Sequence, residues 1–196
     1  MEIDLLWKAT EGEMFETFLQ MTDEEAKLFF DGYLEFGKER LVLLRRRFCE
    51  NGDKEDDLDF SPASLVPLWR WAKRRLQTRE LTHEEMRHIR SVPESFQRDL
   101  LRSKPLSEGS LILVNDIAYY FAEVFIRNHV GVRWKICKTK IKRHVDANQP
   151  ILSGFRVSMN PRDLVRVVAS EAMDAKGGDE SLRELYDIWR KNLQKA

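Results

Sequence analysis

Four polar residues lie at helical spacing inside the most apolar segment of the chain, residues 107–131. They follow one another at intervals of four, three and four, which places them along one side of a helix. They are Asp116, Tyr120, Glu123 and Arg127. Two carboxylates on one face are an arrangement that acid–base catalysis uses. An arginine beside them would keep both carboxylates ionised, which counts against a catalytic role.

Two interpretations of this stripe stay open. In the first, Glu123 and Arg127 form an ion pair, and Asp116 accepts a hydrogen bond from Tyr120 or a neighbouring helix. In the second, the stripe lines a partner-binding groove, where the carboxylates receive basic groups and the aromatic rings supply contact area. The candidate residues of this groove are Asp116, Tyr120, Glu123, Arg127 and Trp134.

A run of six cations without an acidic residue follows, over residues 133–143. Its cations alternate with Trp134, Ile136 and Ile141, which is typical of a half-buried hairpin with a solvated basic face. The alternative is a ribbon over 133–144 that contacts the phosphates of a nucleic acid, with Trp134 as a stacking platform. The candidate nucleic-acid ligands are Lys135, Lys138, Lys140, Lys142 and Arg143.

Residues 50–59 form an acidic, turn-rich link that contains one basic residue, Lys54. Such a segment has little apolar surface to bury, so it is predicted to be a surface loop. Its carboxylates could attract a basic partner protein. The candidates are Asp53, Glu55, Asp56 and Asp57.

The sequence contains no pattern that is typical of an enzyme or a metal site. In the segment HEEMRH, His83 and His88 are five residues apart, which turns them about 140° from each other on a helix, so they cannot share one ion as the histidines of HExxH do. GxGxxG, phosphate-loop and GxSxG motifs are absent. We therefore expect no catalytic residues, no metal and no cofactor.

Most of the chain shows helical periodicity. Capping-box signals at Thr22 and Thr82 begin two helices, and 107–131 predicts a buried central helix with Ser107 as its N-cap. Alternation after Gly131 predicts a two- or three-stranded antiparallel sheet. The expected fold is a mostly helical α+β single domain of five to seven helices. Its parts are a helical region 1–131, a hairpin or sheet 132–158 and C-terminal helices 160–195.

Composition favours a cytoplasmic protein without a membrane segment. Lysine plus arginine and aspartate plus glutamate both total 33, so no net charge favours nucleic acid or an acidic substrate. The cysteines Cys49 and Cys137 stand alone, which fits a reducing compartment. The first residues are acidic and lack the features of a signal peptide. Charged residues interrupt the apolar segment 107–131, which argues against a membrane span.

Three segments resemble blocks of small uncharacterised bacterial proteins of similar length, over roughly residues 58–170. They are LDFSPASLVPLWRWA, NDIAYYFAEVFIRN, and QPILSGF followed by NPRDLVRVV. Some helix-rich cytosolic proteins of this kind belong to toxin-immunity systems, so the resemblance implies a protein-binding, inhibitory role with a toxin as partner. The WxxPxxYxxF pattern of the SUKH immunity superfamily is absent, which leaves the specific family open. The expected function is thus a non-enzymatic protein-binding module, with nucleic-acid binding as the alternative.

Overall fold

The computed structural model of this protein describes residues 7, 11–50, 54–102, 104–141 and 143–194, without the side chains of 11–15, 55, 98–100 and 102. Eight α-helices and a two-stranded antiparallel sheet make up this part of the chain, which is 62% helical. The α+β fold class is therefore confirmed, with one helix more than expected. The helices are α1 (Glu11–Gln20), α2 (Asp23–Cys49), α3 (Leu65–Lys73), α4 (His83–Ser91), α5 (Glu94–Arg102), α6 (Glu108–Asn128), α7 (Pro161–Met173) and α8 (Ser181–Arg190).

Helix α6 is the centre of the fold, as its sequence predicts. The Ser107 hydroxyl accepts a hydrogen bond from the Ser110 amide and caps the helix start. Apolar side chains cover most of its circumference, and α2, α3 and α7 pack around it. Burial on all sides is what a helix with little polar surface requires.

Among the described residues, α6 alone has the length and hydropathy of a membrane span. In its most apolar 18-residue window, 78% of the residues are buried inside the protein. This burial is the pattern of a core helix in a soluble protein.

Helix α2 runs along one side of the core and contacts α6. It begins with the predicted capping box, in which Thr22 and Glu25 exchange hydrogen bonds. Gly37 lies against the ring of Tyr119 on α6, and a Cβ at this position would overlap the ring. The absence of a side chain at Gly37 therefore sets how closely the two helices approach.

The sheet pairs β1 (Arg133–Ile136) with β2 (Pro150–Ser153), and Trp134 lies opposite Leu152. Exposed and half-buried residues alternate along β1, as predicted. The strand ends at Ile136, however, and residues 137–141 and 143–149 form a loop with turns. Most of the basic run that the structure describes therefore does not lie on a strand.

This loop is fixed to the first two helices by polar side chains. Asn148, whose φ is +62°, donates from Nδ2 to the carbonyl oxygens of Phe18 (2.9 Å) and Met21 (3.3 Å). Asparagine tolerates this left-handed conformation better than most residues with a side chain. The loop thereby connects the sheet to the junction between α1 and α2.

Candidate functional site

Asp116, the first residue of the predicted stripe, is fully buried and bound by two side chains. Arg40 of α2 donates from Nε to Oδ1 (2.7 Å) and from Nη2 to Oδ2 (2.6 Å). Trp7 donates from Nε1 to Oδ1 (2.9 Å). Burial raises the pKa of the Asp116 carboxyl, and the hydrogen bonds from Arg40 and Trp7 act in the opposite direction.

The neighbouring residue extends this buried network to α7. Asn115 donates from Nδ2 to the carbonyl oxygen of Trp7 and accepts from Nε of Arg162 (3.3 Å). Arg162 is itself only 2% exposed. The network thus holds Trp7, α2, α6 and α7 together, and its function in this structure is to position these elements.

Tyr120, the second residue of the stripe, is also fully buried. Its hydroxyl accepts a hydrogen bond from the Phe60 amide (3.0 Å) and lies 2.7 Å from Oγ of Ser64. The rings of Tyr120 and Phe60 stack with their centroids 4.6 Å apart. Phe60 has a φ of +61°, a strained conformation for a bulky residue, so Tyr120 holds it by both contacts.

We expect Tyr120→Phe to lower the free energy of unfolding by about 1–2 kcal/mol, because it removes the partner of the buried Phe60 amide. Tyr119→Phe is the matched control. The Tyr119 hydroxyl donates to the carbonyl oxygen of Leu34, a residue inside α2. A carbonyl inside a helix also accepts from the helix backbone, so loss of the Tyr119 hydroxyl should cost less. Urea unfolding of the three proteins measures the difference, and an equal effect of the two changes would contradict the assignment.

The other members of the predicted groove lie nearer the surface. Glu123 is 17% exposed and accepts hydrogen bonds from Arg127 (3.5 Å) and from Nε1 of Trp134 (3.4 Å). The guanidinium of Arg127 lies 3.5 Å from the centroid of Phe60. Trp134 stacks on Tyr119, with 5.4 Å between ring centroids.

The expected groove is therefore not formed by these five residues. Asp116 and Tyr120 are closed over by other elements, and Tyr120 bonds to Phe60 and Ser64 instead of Asp116. The helical spacing identified one face correctly, but that face is turned toward Trp7, α2 and the loop that contains Phe60. The ion pair between Glu123 and Arg127 is present, as the architectural interpretation expects.

The acidic link stays at the surface where the structure describes it. Asp56 and Asp57 are exposed and belong to a 3-10 helix, Glu55–Asp57, that packs near α2. Leu58 is fully buried and anchors the link to the core. Asp53 and the side chain of Glu55 lie outside the described residues.

The basic run is partly neutralised by the first two helices. Lys138 donates to Asp23 (2.6 Å), and Arg143 donates to Glu16 (2.8 Å). Lys135 and Lys140 are exposed, and Lys142 lies outside the described residues. Trp134 is half-buried, and one face of its indole ring stacks on Tyr119, so that face is not available to a nucleic-acid base.

Two exposed aliphatic side chains lie on the outer side of α2 and were not predicted as part of a site. Leu28 is 76% exposed and Val42 is 68% exposed. They are two heptads apart, so they lie on nearly the same side of the helix, about 21 Å from each other. The sequence does indicate their exposure, because both residues fall outside the helical stripe of Ala26, Phe29 and Tyr33 that faces the core.

Each of these two residues borders a groove. The first groove, of about 590 Å³, lies between α1 and α2 and is lined by Met21, Leu28 and Phe29 among others. The second, of about 560 Å³, lies near the end of α2 beside Val42 and Cys49. We call the two grooves with Leu28 and Val42 the α2 face.

The described residues contain no group of three or more histidine, cysteine or acidic side chains that could hold a metal ion. Comparisons of this chain with protein-family models, with curated proteins and with solved structures found no match. The resemblance to toxin-immunity proteins therefore stays a prediction.

Proposed function

We propose that this protein is a non-enzymatic protein-binding module and that it binds its partner through the α2 face. The observation that supports this proposal is the pair of exposed aliphatic side chains, Leu28 and Val42, each beside a groove on one continuous helix. Grooves with aliphatic borders are the kind of surface that receives the apolar side of an amphipathic helix.

The charges along α2 define what such a partner would carry. Around Leu28 the exposed side chains are mostly acidic, and they include Glu24, Glu25 and Asp31. Around Val42 the second groove is lined by two cations, Arg45 and Arg46, and by one acid, Glu50, which lies 3.5 Å from Nε of Arg46, so the charged lining is basic on balance. A complementary helix therefore has cations near the end that covers Leu28 and acids near the end that covers Val42.

The resemblance in sequence extends this proposal to the kind of partner, a bacterial toxin that the protein inhibits. Asp56 and Asp57 are exposed in the part of the link that the structure describes, so they remain candidates for attracting a basic region of that partner. Long-range attraction of this kind acts mainly on the association rate and weakens with salt.

A photo-crosslinking amino acid placed at position 28 or 42 tests the proposed surface in cells of the native host. We expect both positions to capture the same protein, and position 167 to capture none of it. Val167 is the matched control because it is an exposed aliphatic residue, 55% exposed, on the different helix α7.

The captured protein is then purified and its affinity measured. Leu28→Asp should weaken binding by at least about 2 kcal/mol, the usual size of an interface hot spot, and Val167→Asp should leave it unchanged. A failure of both α2 positions to capture a common protein, or an unchanged Kd for Leu28→Asp, would contradict the proposal.

Nucleic-acid binding by residues 133–144 is the second candidate function. The ion pairs of Lys138 with Asp23 and of Arg143 with Glu16 reduce the positive charge available to phosphates, which is why we place it second.

A further inference from the structure

The two halves of helix α2 expose opposite charges. The N-terminal half, around Leu28, exposes four acids and one lysine, and that lysine pairs with Asp31 (3.1 Å). The C-terminal half, around Val42, exposes three cations and one acid. In chain order these charged residues are Asp23, Glu24, Glu25, Lys27 and Asp31, then Lys38, Glu39, Arg46 and Arg47. A helix with this distribution of charge is complementary to an antiparallel copy of itself.

The aliphatic and the charged residues on the outer side of α2 share one midpoint, Glu35. Leu28 and Val42 are each seven residues from Glu35, and Glu24 and Arg46 are each eleven residues from it. At about 100° per residue, these four side chains lie within about 20° of the side of the helix on which Glu35 lies. An antiparallel copy of α2 that crosses at Glu35 therefore places Leu28 against Val42 of that copy, and Glu24 against Arg46 of that copy.

The residues of this arrangement are open to solvent. Leu28 and Val42 are exposed, and so are the side chains of Glu35 and Arg46. Arg46 lies 3.5 Å from Glu50, but both side chains of this ion pair are more than half exposed, so the contact is weak and can be exchanged for one with Glu24 of a second copy.

Glu35 would face Glu35 of the second copy at the centre of the arrangement. Nζ of Lys38 lies 3.0 Å from Oε2 of Glu35 in each chain, which offsets the repulsion between the two carboxylates. The unfavourable contact at the centre is therefore smaller than the charges of the two acids alone would give.

We propose that a second copy of this chain docks on the α2 face when no other partner is bound, and that the two copies form an antiparallel dimer centred on Glu35. This inference rests on the proposed function, because it uses the same surface. Leu28 and Val42 of each copy meet those of the other, so the exposed aliphatic side chains are removed from water. A self-complementary patch that is used twice is the usual basis of a two-fold dimer. The second copy covers the residues that another partner needs, so the dimer keeps the α2 face closed until that partner displaces it.

Sedimentation equilibrium of the purified full chain tests the dimer without any substitution. One helix from each copy makes a small interface, so we expect a reversible dimer with a Kd on the order of 10–100 µM at low salt. Added salt should weaken the dimer, because the pairs between Glu24 and Arg46 are exposed. A chain that stays monomeric up to about 1 mM at low salt would overturn the proposal.

Two charge reversals test the antiparallel arrangement. Glu24→Arg and Arg46→Glu should each weaken self-association at least about tenfold, because each change places like charges together at both ends of the interface. An equal mixture of the two variants should dimerise again, since every facing pair then consists of opposite charges. Either variant self-associating as well as the native chain, or a mixture that stays monomeric, would overturn the arrangement.

Arg90→Glu is the matched control for the charge reversals. Arg90 is an exposed arginine in the last turn of α4, as Arg46 is in the last turn of α2, and it does not lie on the α2 face. Its reversal should leave the Kd of the dimer unchanged. A loss of self-association equal to that of Arg46→Glu would show that net charge, and not the pairing along α2, controls the association.

Crosslinking of the purified chain separates this inference from the proposed function. A photo-crosslinking amino acid at position 28 should join one copy to the region of Val42 in the other, which mass spectrometry identifies. Crosslinks to another region of the second copy, or none, would overturn the dimer. Capture of a different protein in cells of the native host tests the proposed function by itself, because it does not require the purified chain to dimerise.

Discussion

Replacing Arg40 with methionine is expected to lower the free energy of unfolding by about 3–5 kcal/mol at pH 7, the cost of leaving a buried charge without its partner. Asp116 is fully buried, and Arg40 makes two of its three hydrogen bonds. Methionine keeps most of the side-chain volume, so the main change is the loss of the positive charge. Urea or thermal unfolding measures the effect.

The same variant should have a characteristic pH dependence. Burial already raises the pKa of Asp116 in the folded protein, and loss of Arg40 should raise it further, because Arg40 favours the ionised form. A raised folded-state pKa means that the folded protein binds the proton more tightly than the unfolded chain, so its stability falls as pH rises through these values. The deficit of Arg40→Met should therefore be largest at neutral pH and shrink as the pH is lowered.

Two further variants make this prediction specific. Arg40→Met combined with Asp116→Asn should recover much of the lost stability, because the Asp116 position then no longer carries a charge without its partner. Arg46→Met removes an arginine whose side chain is 77% exposed on the same helix, and its effect should stay within about 0.5 kcal/mol. A deficit that does not change with pH would contradict the assignment of the cost to the Asp116 charge.

Gly37→Ala is the second substitution with a large expected effect on stability. We expect it to destabilise the protein, which is the opposite of its usual effect inside a helix. Replacing glycine by alanine inside a helix usually stabilises it by about 0.5–1 kcal/mol. At Gly37 the added Cβ would overlap the ring of Tyr119, which is held by its hydrogen bond to the carbonyl oxygen of Leu34. We expect a destabilisation of about 3 kcal/mol or more, at the upper end for overpacked cores.

Gly109→Ala is the control for this substitution, because its Cβ meets open space in α6. It should be neutral or stabilising in the same unfolding measurement. Tyr119→Leu introduced beside Gly37→Ala removes the overlapping ring, so the double change should cost less than the sum of the two single changes. A Gly37→Ala protein as stable as the native one would show that α2 and α6 can separate without cost.

The local signals in the sequence predicted the elements well. The capping boxes at Thr22 and Thr82, the N-cap at Ser107 and the alternation along β1 are each decided by residues within one turn or one strand, and all are present. The burial of α6 followed from an apolar pattern that leaves almost no polar side.

The contacts of the predicted stripe could not be predicted from local sequence patterns. Asp116 is bound by Arg40, 76 residues away, and by Trp7, 109 residues away. Nothing near Arg40 distinguishes it from the other cations of α2, since its role depends on the packing of α2 against α6. The position of Phe60, a bulky residue with a positive φ, likewise depends on Tyr120 from a distant helix.

The predicted extent of the basic strand was wrong. The alternation of basic and apolar residues continues in the sequence beyond Ile136, where the pairing with β2 ends. β2 provides partners for residues 133–136 alone. The following loop instead turns to the first two helices, where acidic side chains meet its cations. Pairing partners, and not the pattern of a single segment, decide where a strand ends.

The attachment of the 137–149 loop has a consequence for the order of folding during synthesis. The side chain of Asn148 binds the carbonyl oxygens of Phe18 and Met21, across 130 and 127 residues. Contacts of such sequence separation form late, because the intervening chain must first be brought together. On the ribosome, α1 and the start of α2 emerge early, but they cannot be fixed in place until residue 148 has followed, so chaperones would meet these helices before they are docked.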